Sequence, residues 1–252
     1  MGECLSLFDG WDNLMIQSAR EGMQGRFHCE GGRAAACENG DFLFLAGDAD
    51  APEWEALLTR FSDQGFFRIL VSRTPELHER AGQILKGSVT AETRYALQPP
   101  EAFDREHLSR LAQQMPAEIE LRLFDEDCYH QALAQTWSCD ACLQFGSWDG
   151  YRAHGLGIAA LKDGVLIGSA SSYSSCSHGV EIQVDVRHDH QRRGIAAACS
   201  ARLILECLDR SLIPEWDAAS DVSLHLAQKL GYRYAGSYPV WFLNAPTTPE
   251  KE

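Results

Sequence analysis

The chain has 252 residues, a formal net charge of −14 at pH 7 and 45% hydrophobic residues. This length suits one large domain or two small ones and permits a sizeable core without disulfide or metal staples. The acidic balance disfavours a broad nucleic-acid or anionic-membrane surface, and no apolar run approaches the roughly 18 residues of a membrane span.

The nine cysteines are odd in number and irregular in spacing. The N-terminus lacks the basic and apolar regions of a signal peptide, so we expect a cytoplasmic, reducing setting with free thiols. Cys139 and Cys142 have CxxC spacing, but a zinc site normally needs a second ligand pair. Cys128 and His130 lie upstream and leave zinc open as an alternative; we expect ordinary thiols on a helix and no metal.

The N-terminal part predicts an α/β domain over residues 1–115. Its first 40 residues have little periodicity, although Gly31-Gly32 suggests a loop and Ala34 to Ala36 a short helix. Strands and helices then alternate. The predicted elements are a strand over 41–47, a helix from Glu53, a strand over 66–71, a helix over 76–86, a strand over 93–97 and a connecting helix over 104–114.

The C-terminal part predicts a second domain over residues 116–245, followed by a polar tail over 246–252. Asp163-Gly164 lies between two apolar runs and predicts the turn of a β-hairpin. No internal repeat is evident. The predicted elements are a strand over 118–123, a helix over 125–136, the hairpin over 157–170, a polar loop over 171–178, a strand over 180–186 and a helix over 197–210.

A strand, a short polar loop and a helix N-terminus follow one another around residues 180–210. Gln191-Arg192-Arg193-Gly194-Ile195-Ala196 leads into the helix, with a small residue at two positions and two arginines before them. Free backbone N–H groups and the helix dipole favour an anion at such a point, and a pyrophosphate fits. A helix that merely happens to start with Arg-Arg-Gly is the alternative.

The sequence here resembles the GCN5-related N-acetyltransferase (GNAT) superfamily, whose acetyl-CoA signature is Gln/Arg-x-x-Gly-x-Gly/Ala after a strand. Leu-Ala-x-Lys-Leu-Gly-Tyr at 226–232 is similar to the closing motif of that superfamily. Together with Ser-Ser-Tyr-Ser at 171–174 and Trp-Asp-Ala at 216–218, it resembles the branch that includes the zwittermicin A resistance acetyltransferase. The resemblance is strong over 155–243 and weaker from about residue 40.

The resemblance implies a mixed, mostly antiparallel central sheet flanked by helices, with acetyl-CoA as co-substrate. The order of elements in the N-terminal domain permits a degenerate copy of the same fold. By analogy with the family, backbone groups of the strand bind pantetheine, the loop binds pyrophosphate, and two serines after the next strand add polar contacts. The implied cofactor residues are Val184, Asp185, Val186, Gln191, Arg192, Arg193, Gly194, Ile195, Ala196, Ser220 and Ser223.

The catalytic residues are less directly implied. The family commonly has a tyrosine acid four residues before the closing glycine, but this chain has Ala227 there. Glu181 is the candidate base, with an exposed strand carboxylate as the alternative. Tyr173 is the candidate substitute acid in the 171–178 loop, and His178 is a further acid or base candidate. We expect His188 and His190 to be solvated loop residues.

The leading hypothesis is therefore an enzyme that moves an acetyl group from acetyl-CoA to the amine of a small molecule by direct attack. A non-catalytic acyl-CoA-binding or regulatory protein is the alternative, motivated by Ala227 and by Ser220 where the family often has asparagine. A nucleotide-binding protein of another fold is a third option, but the P-loop and the Gly-x-Gly-x-x-Gly motif are both absent. We expect no nucleic-acid or membrane partner, and the sequence leaves a homodimer open.

Overall fold

The computed structural model of the protein describes residues 5–245, which form two compact units. The first unit holds the chain up to Arg94 together with the segment from Ser237 onward, and the second holds Tyr95–Gly236. This division gives residues 95–115 to the second unit and 237–245 to the first. The sequence-based boundary at residue 115 stays a prediction, and the polar tail over 246–252 lies outside the described residues.

The first unit packs helices against a sheet. Strands β1, β2 and β3 are antiparallel neighbours, β3 pairs in parallel with β4, and β4 pairs with the end of the last strand through Leu70 and Trp241. Trp54, Leu57 and Phe61 of one helix fill the core. The elements are α1 (Leu14–Glu21), β1 (Arg26–Glu30), β2 (Ala34–Asn39), β3 (Phe42–Gly47), α2 (Glu53–Asp63), β4 (Arg68–Ser72), α3 (Pro75–Ile84) and the first part of β5 (Val89–Gln98).

Strand β2 corrects the short helix expected at Ala34 to Ala36. Alanine favours helix locally, but these residues lie between β1 and β3 and are completely buried. Long-range pairing therefore overrides local propensity. Gly31 and Gly32, where we expected a loop, have positive φ angles of 56° and 73° in the turn before this strand.

The second unit is built on a five-stranded sheet in the order β10-β9-β8-β7-β6. All neighbours are antiparallel except β9 and β10, so the sheet is mixed and mostly antiparallel, as expected. Its elements are α4 (Arg105–Gln113), β6 (Ile119–Leu123), α5 (Glu126–Leu133), α6 (Trp148–His154), β7 (Gly157–Lys162), β8 (Val165–Cys176), β9 (Gly179–Val186), α7 (Ile195–Asp209), β10 (Ile213–Glu215), β11 (Asp217–Ala218), α8 (Asp221–Lys229) and β12 (Arg233–Leu243), which ends in the first unit.

The hairpin of β7 and β8 has the predicted turn, with Asp163 and Gly164 both at positive φ. The polar loop expected over 171–178 is wrong, because β8 continues to Cys176. Serines in this stretch suggest a loop locally, yet they are buried and paired with β9. A register shift between Ser172 and Ser174 leaves Tyr173 as an extra residue on β8.

The two faces of this sheet are covered differently. Ile158, Ala160 and Ile182 pack with α7 in one hydrophobic cluster. Ala159 packs on the other face with Tyr129 of α5 and Tyr151 of α6. Adjacent residues of one strand thus face opposite sides, as the pleat requires.

Five of the six cysteines of the second unit are buried, and Cys139 is partly buried. Cys139 lies in a 3-10 turn rather than a helix, and burial raises the pKa of the Cys142 thiol to about 12. Among residues 5–245, seven cysteines carry free thiols, whereas Cys29 is disulfide-bonded, so the expectation of free thiols fails at that position.

Candidate cofactor and catalytic site

Strands β9 and β10 separate partway along their length. Their parallel pairing ends at Glu181 and Glu215. The chain then turns away, and Asp217 of β11 pairs with Ala96 of β5 instead. Within residues 5–245, β9 beyond Glu181 therefore pairs with β8 alone. This separation leaves backbone groups of β9 open on one side.

A cavity of about 430 Å³ lies at this opening. It brings together nine of the eleven implied cofactor residues; Asp185 and Arg193 are the two that do not line it. The nine are Val184, Val186, Gln191, Arg192, Gly194, Ile195, Ala196, Ser220 and Ser223. Residues that the sequence did not indicate complete the lining, and they are His190, Ala197, Trp216, Val222, Leu226 and Lys229.

Helix α7 begins at the cavity without a side-chain cap. Gly194 occupies the N-cap position with a φ of 85°, a left-handed conformation that favours glycine, and no acidic residue lies in the first turn. Helix α8, in contrast, is capped by Ser220, whose hydroxyl accepts the N–H of Ser223. The first N–H groups of α7 thus remain available to an anionic ligand, and the helix dipole favours negative charge there.

Unpaired cations surround this helix start. Arg192 and Lys229 line the cavity, and Arg193 is exposed beside it. None of the three side chains forms an ion pair with any residue between 5 and 245. In a chain of net charge −14, a group of free cations at an uncapped helix end gives a local positive potential.

Close packing fixes the position of α7. Ile195 is buried in the core against Gly168 of β8, where an added Cβ would lie 2.6 Å from the Ile195 Cγ2 atom. A glycine is therefore required at 168 for the helix to start so near the sheet. On the opposite wall, the Trp216 indole N–H donates to Ser223 Oγ at 3.0 Å and fixes that hydroxyl at the cavity.

Helical spacing from the predicted residue Ser223 could have indicated Leu226 and Lys229. The three residues lie at i, i+3 and i+6 on α8, so one face of this helix contributes all three to the cavity. His190 is a correction, because we expected a solvated loop residue. It is 7% exposed, lines the cavity and lies 2.8 Å from an Asp189 oxygen, whereas His188 is exposed as expected.

Glu181 lies at the point where β9 and β10 separate. It is 7% exposed, and its Oε1 atom accepts the backbone N–H of Asp217 at 3.0 Å. The carboxylate thus replaces the next hydrogen bond of the strand pair and holds the first residue of β11. An exposed strand carboxylate, our alternative interpretation, is therefore wrong.

Tyr173 lies close to Glu181 across the sheet, because its neighbour Ser174 pairs with Glu181. It is buried in strand β8 at 6% exposure rather than in a loop over the cleft. Neither Tyr173 nor Glu181 is among the residues that line the 430 Å³ cavity. His178 is exposed in the turn between β8 and β9, with Nδ1 3.4 Å from Cys176 Sγ.

Ala227 is fully buried in the hydrophobic cluster, on a face of α8 that does not line the cavity. Tyr232 of the closing motif is buried beneath the same helix and donates its hydroxyl to the Pro214 carbonyl at 2.8 Å. Burial raises the pKa of this phenol well above its usual value. Tyr232 therefore has a structural role in holding β10.

Asp185 points away from the cavity. Gln183 Nε2 donates to both of its carboxylate oxygens, at 3.1 and 3.2 Å. The pKa of Asp185 is raised to about 7, mainly by burial; the hydrogen bond from Gln183 lowers this pKa and the negative charge of Asp140 raises it. Any cofactor contact by Asp185 would thus involve its backbone.

Comparison with known proteins identifies the family and the fold of the chain. A family model described as GNAT acetyltransferase matches residues 5–241. A GCN5-related N-acetyltransferase-like protein from Streptococcus suis 89/1591 is 33% identical, with a TM-score of 0.88 over 96% of this chain and 99% of that one. A GCN5-related N-acetyltransferase from Kribbella flavida is 17% identical, with a TM-score of 0.62 over 92% and 95% of the two chains.

An uncharacterized N-acetyltransferase of Bacillus subtilis (strain 168), YdfB, is 23% identical over 131 residues, which are 51% of this chain and 50% of that protein. The chain thus spans about half the length of this curated relative. The predicted superfamily and fold class are confirmed, while the zwittermicin branch stays a prediction. No helix within residues 5–245 has the length and apolarity needed to cross a membrane.

Proposed function

Because the chain belongs to the GNAT acetyltransferase family, we propose that it transfers an acetyl group from acetyl-CoA to the amine of a small molecule by direct attack in a ternary complex. The observation that carries this proposal is the cavity at the uncapped start of α7, whose lining includes Arg192 and Lys229, neither of them ion-paired within residues 5–245. The cytoplasmic setting and a homodimer stay predictions.

The described residues fit the chemistry of acetyl-CoA. The N–H groups that follow Gly194 would bind the pyrophosphate, and Arg192, Arg193 and Lys229 would neutralise phosphate charge. The open side of β9 at Val184 would hydrogen-bond the pantetheine arm. The Trp216–Ser223 pair forms the opposite wall.

The proposed reaction needs no covalent enzyme intermediate. The amine lone pair attacks the thioester carbonyl carbon, the C–S bond breaks, the amine loses a proton and the leaving thiolate gains one. Alignment of two bound substrates contributes about 7–11 kcal/mol in favourable systems. An oxyanion donor contributes about 3–4 kcal/mol, and a backbone N–H near Val184 is our candidate.

Glu181 and Tyr173 are our candidates for base and acid. They lie near each other across β8 and β9 at the separation of the strands. A positioned acid or base adds about 10²–10⁴-fold to the rate. The loss of the family tyrosine at Ala227 would therefore slow the reaction without abolishing it.

A non-catalytic acyl-CoA-binding protein is the second candidate function. The full burial of Ala227 and the engagement of Glu181 with the Asp217 backbone favour it. Both proteins would bind acetyl-CoA, but only the enzyme would consume it.

The two candidates differ in a product screen. The purified protein is incubated with acetyl-CoA and a broad panel of small amines, and acetylated products are sought by mass spectrometry, with acetyl-CoA affinity measured on the same sample. Acetylated product from at least one amine is the expected result. Intact acetyl-CoA binding without product would establish the binding protein, and absence of binding would contradict both.

A further inference from the structure

A second polar site lies on the face of β9 opposite the cavity. Asp185 pairs directly with Ser169 of β8, which pairs with Ala159 of β7. Gln183 pairs with Ser171 in the same way. Because directly opposed residues in antiparallel strands share a face, these four polar side chains lie on the side where Ala159 packs.

Helix α6 packs on that side of the sheet. The Tyr151 hydroxyl lies 2.6 Å from Ser171 Oγ, and Gly157 leaves room for this pair, since an added Cβ there would lie 2.3 Å from the Tyr151 hydroxyl. The hydroxyl of Ser171 therefore has a hydrogen-bond partner within the protein. The hydroxyl of Ser169, two residues earlier on β8, is in a different situation.

Ser169 is fully buried, and its hydroxyl makes no hydrogen bond to any residue between 5 and 245. Buried polar side chains are normally hydrogen-bonded, so an unpaired hydroxyl directly opposite a carboxylate indicates a missing partner. Asp185 is itself only partly buried.

Asp140 adds a second carboxylate to this face. It is partly buried in the 3-10 turn Cys139–Ala141, which packs against β8 and β9. Neither Asp140 nor Asp185 forms an ion pair with any described residue, and the negative charge of Asp140 opposes ionisation of Asp185. Two neighbouring carboxylates without a cation favour a ligand that brings positive charge.

We propose that Asp185, Asp140 and Ser169 bind a primary ammonium group carried by the acceptor, on the face of the sheet opposite the cofactor cavity. The three groups supply three acceptors, and a primary ammonium offers three donors and no acceptor. This assignment rests on the proposed transferase function and names the class of acceptor as cationic. The net charge of −14 favours the approach of such a molecule.

The test is a binding titration of the full chain with butylammonium chloride, with 1-butanol as the neutral probe of the same shape. The wild-type protein is expected to bind butylammonium saturably and 1-butanol far more weakly. Asp185→Asn, which keeps the shape of the side chain, is expected to weaken butylammonium binding by roughly tenfold or more, because a hydrogen bond to a charged group is lost.

Asp163→Asn is the matched control, since it removes one negative charge from the exposed β7–β8 turn. It is expected to leave the affinity within about twofold. Asp140→Asn is a second variant on a different element and is expected to weaken binding in the same direction as Asp185→Asn. Equal binding of both probes, or wild-type affinity in both aspartate variants, would overturn the inference.

Acetyl-CoA affinity, measured on the same variants, separates this inference from the proposed function. It is expected to be unchanged in Asp185→Asn and Asp140→Asn. If acetyl-CoA binds and is consumed, but neither aspartate variant changes the affinity for butylammonium, only the proposed ammonium site is contradicted. If the wild-type protein does not bind acetyl-CoA, the proposed function itself fails.

Discussion

On one face of β9, Val184 and Val186 adjoin a cavity that carries the unpaired cations Arg192 and Lys229. On the other face, Asp185 lies opposite the unpaired hydroxyl of Ser169. Alternation along one strand thus separates a site suited to an anion from one suited to a cation. Such a separation would let an anionic cofactor and a cationic acceptor bind at the same time.

The largest effect is expected at Glu181, which lies where β9 and β10 separate. Glu181→Gln keeps an oxygen for the Asp217 N–H but removes the basic carboxylate. We expect the turnover rate to fall by about 10²-fold or more, with acetyl-CoA affinity unchanged. Steady-state kinetics with any amine found in the screen checks this, with Glu120→Gln on strand β6 as the control. Unchanged turnover would assign Glu181 to structure alone.

Gly168 tests whether the position of α7 matters for the cavity face. Gly168→Ala places a Cβ against Ile195 and is expected to cost about 1–3 kcal/mol of unfolding free energy by overpacking. It should also weaken acetyl-CoA binding by moving the helix start. Chemical unfolding and a binding titration measure the two effects. Wild-type values for both would show that the contact between β8 and α7 tolerates a methyl group.

Lys229 tests the charge of the cavity face. Lys229→Gln is expected to weaken acetyl-CoA binding a few-fold, because an exposed ion pair contributes about 0.2–1 kcal/mol. The difference should shrink at high salt. Lys86→Gln, an exposed lysine of the first unit, changes the net charge equally and serves as the control. An equal loss in both variants would point to overall charge instead of a local contact.

Asp185 tests the polar face of β9 through the pH dependence of stability. Its pKa is about 7 in the folded protein against an ordinary 3.8. Between these values the folded state holds a proton that the unfolded chain has released, so this group makes stability fall as pH rises. The gain in stability of Asp185→Asn over wild type should therefore grow from about pH 4 to about pH 7 and level off above pH 7. A constant difference in urea unfolding across this range would contradict the shifted pKa.

The strand, loop and helix around Gly194 could be predicted from sequence because their signals are local. Strand alternation, the Asp163-Gly164 turn and the small residues before α7 each act within a few positions. Motif resemblance then located most of the residues that line the cavity, since those motifs follow one another along the chain.

Features that depend on long-range pairing could not be predicted in this way. The alanines at 34–36 suggest a helix locally, and the four serines within 171–175 suggest a loop. Both stretches are buried strands. The Ser169–Asp185 pair follows from strand register. Trp216 reaches the cavity because the chain leaves β9 between β10 and β11. Neither can be read from neighbouring residues.

The most direct test of the cavity as an acetyl-CoA site is the acetyl-CoA dissociation constant of Gly194→Ala beside that of Gly146→Ala. Both glycines are left-handed, with φ of 85° and 70°, and an added Cβ meets no atom closer than 3.9 Å at either position. The strain of about 1–2 kcal/mol should thus be similar in both variants. We expect Gly194→Ala to lose about tenfold or more in affinity while Gly146→Ala keeps the wild-type value. Equal affinities in the two variants would contradict the assignment of the pyrophosphate to the start of α7.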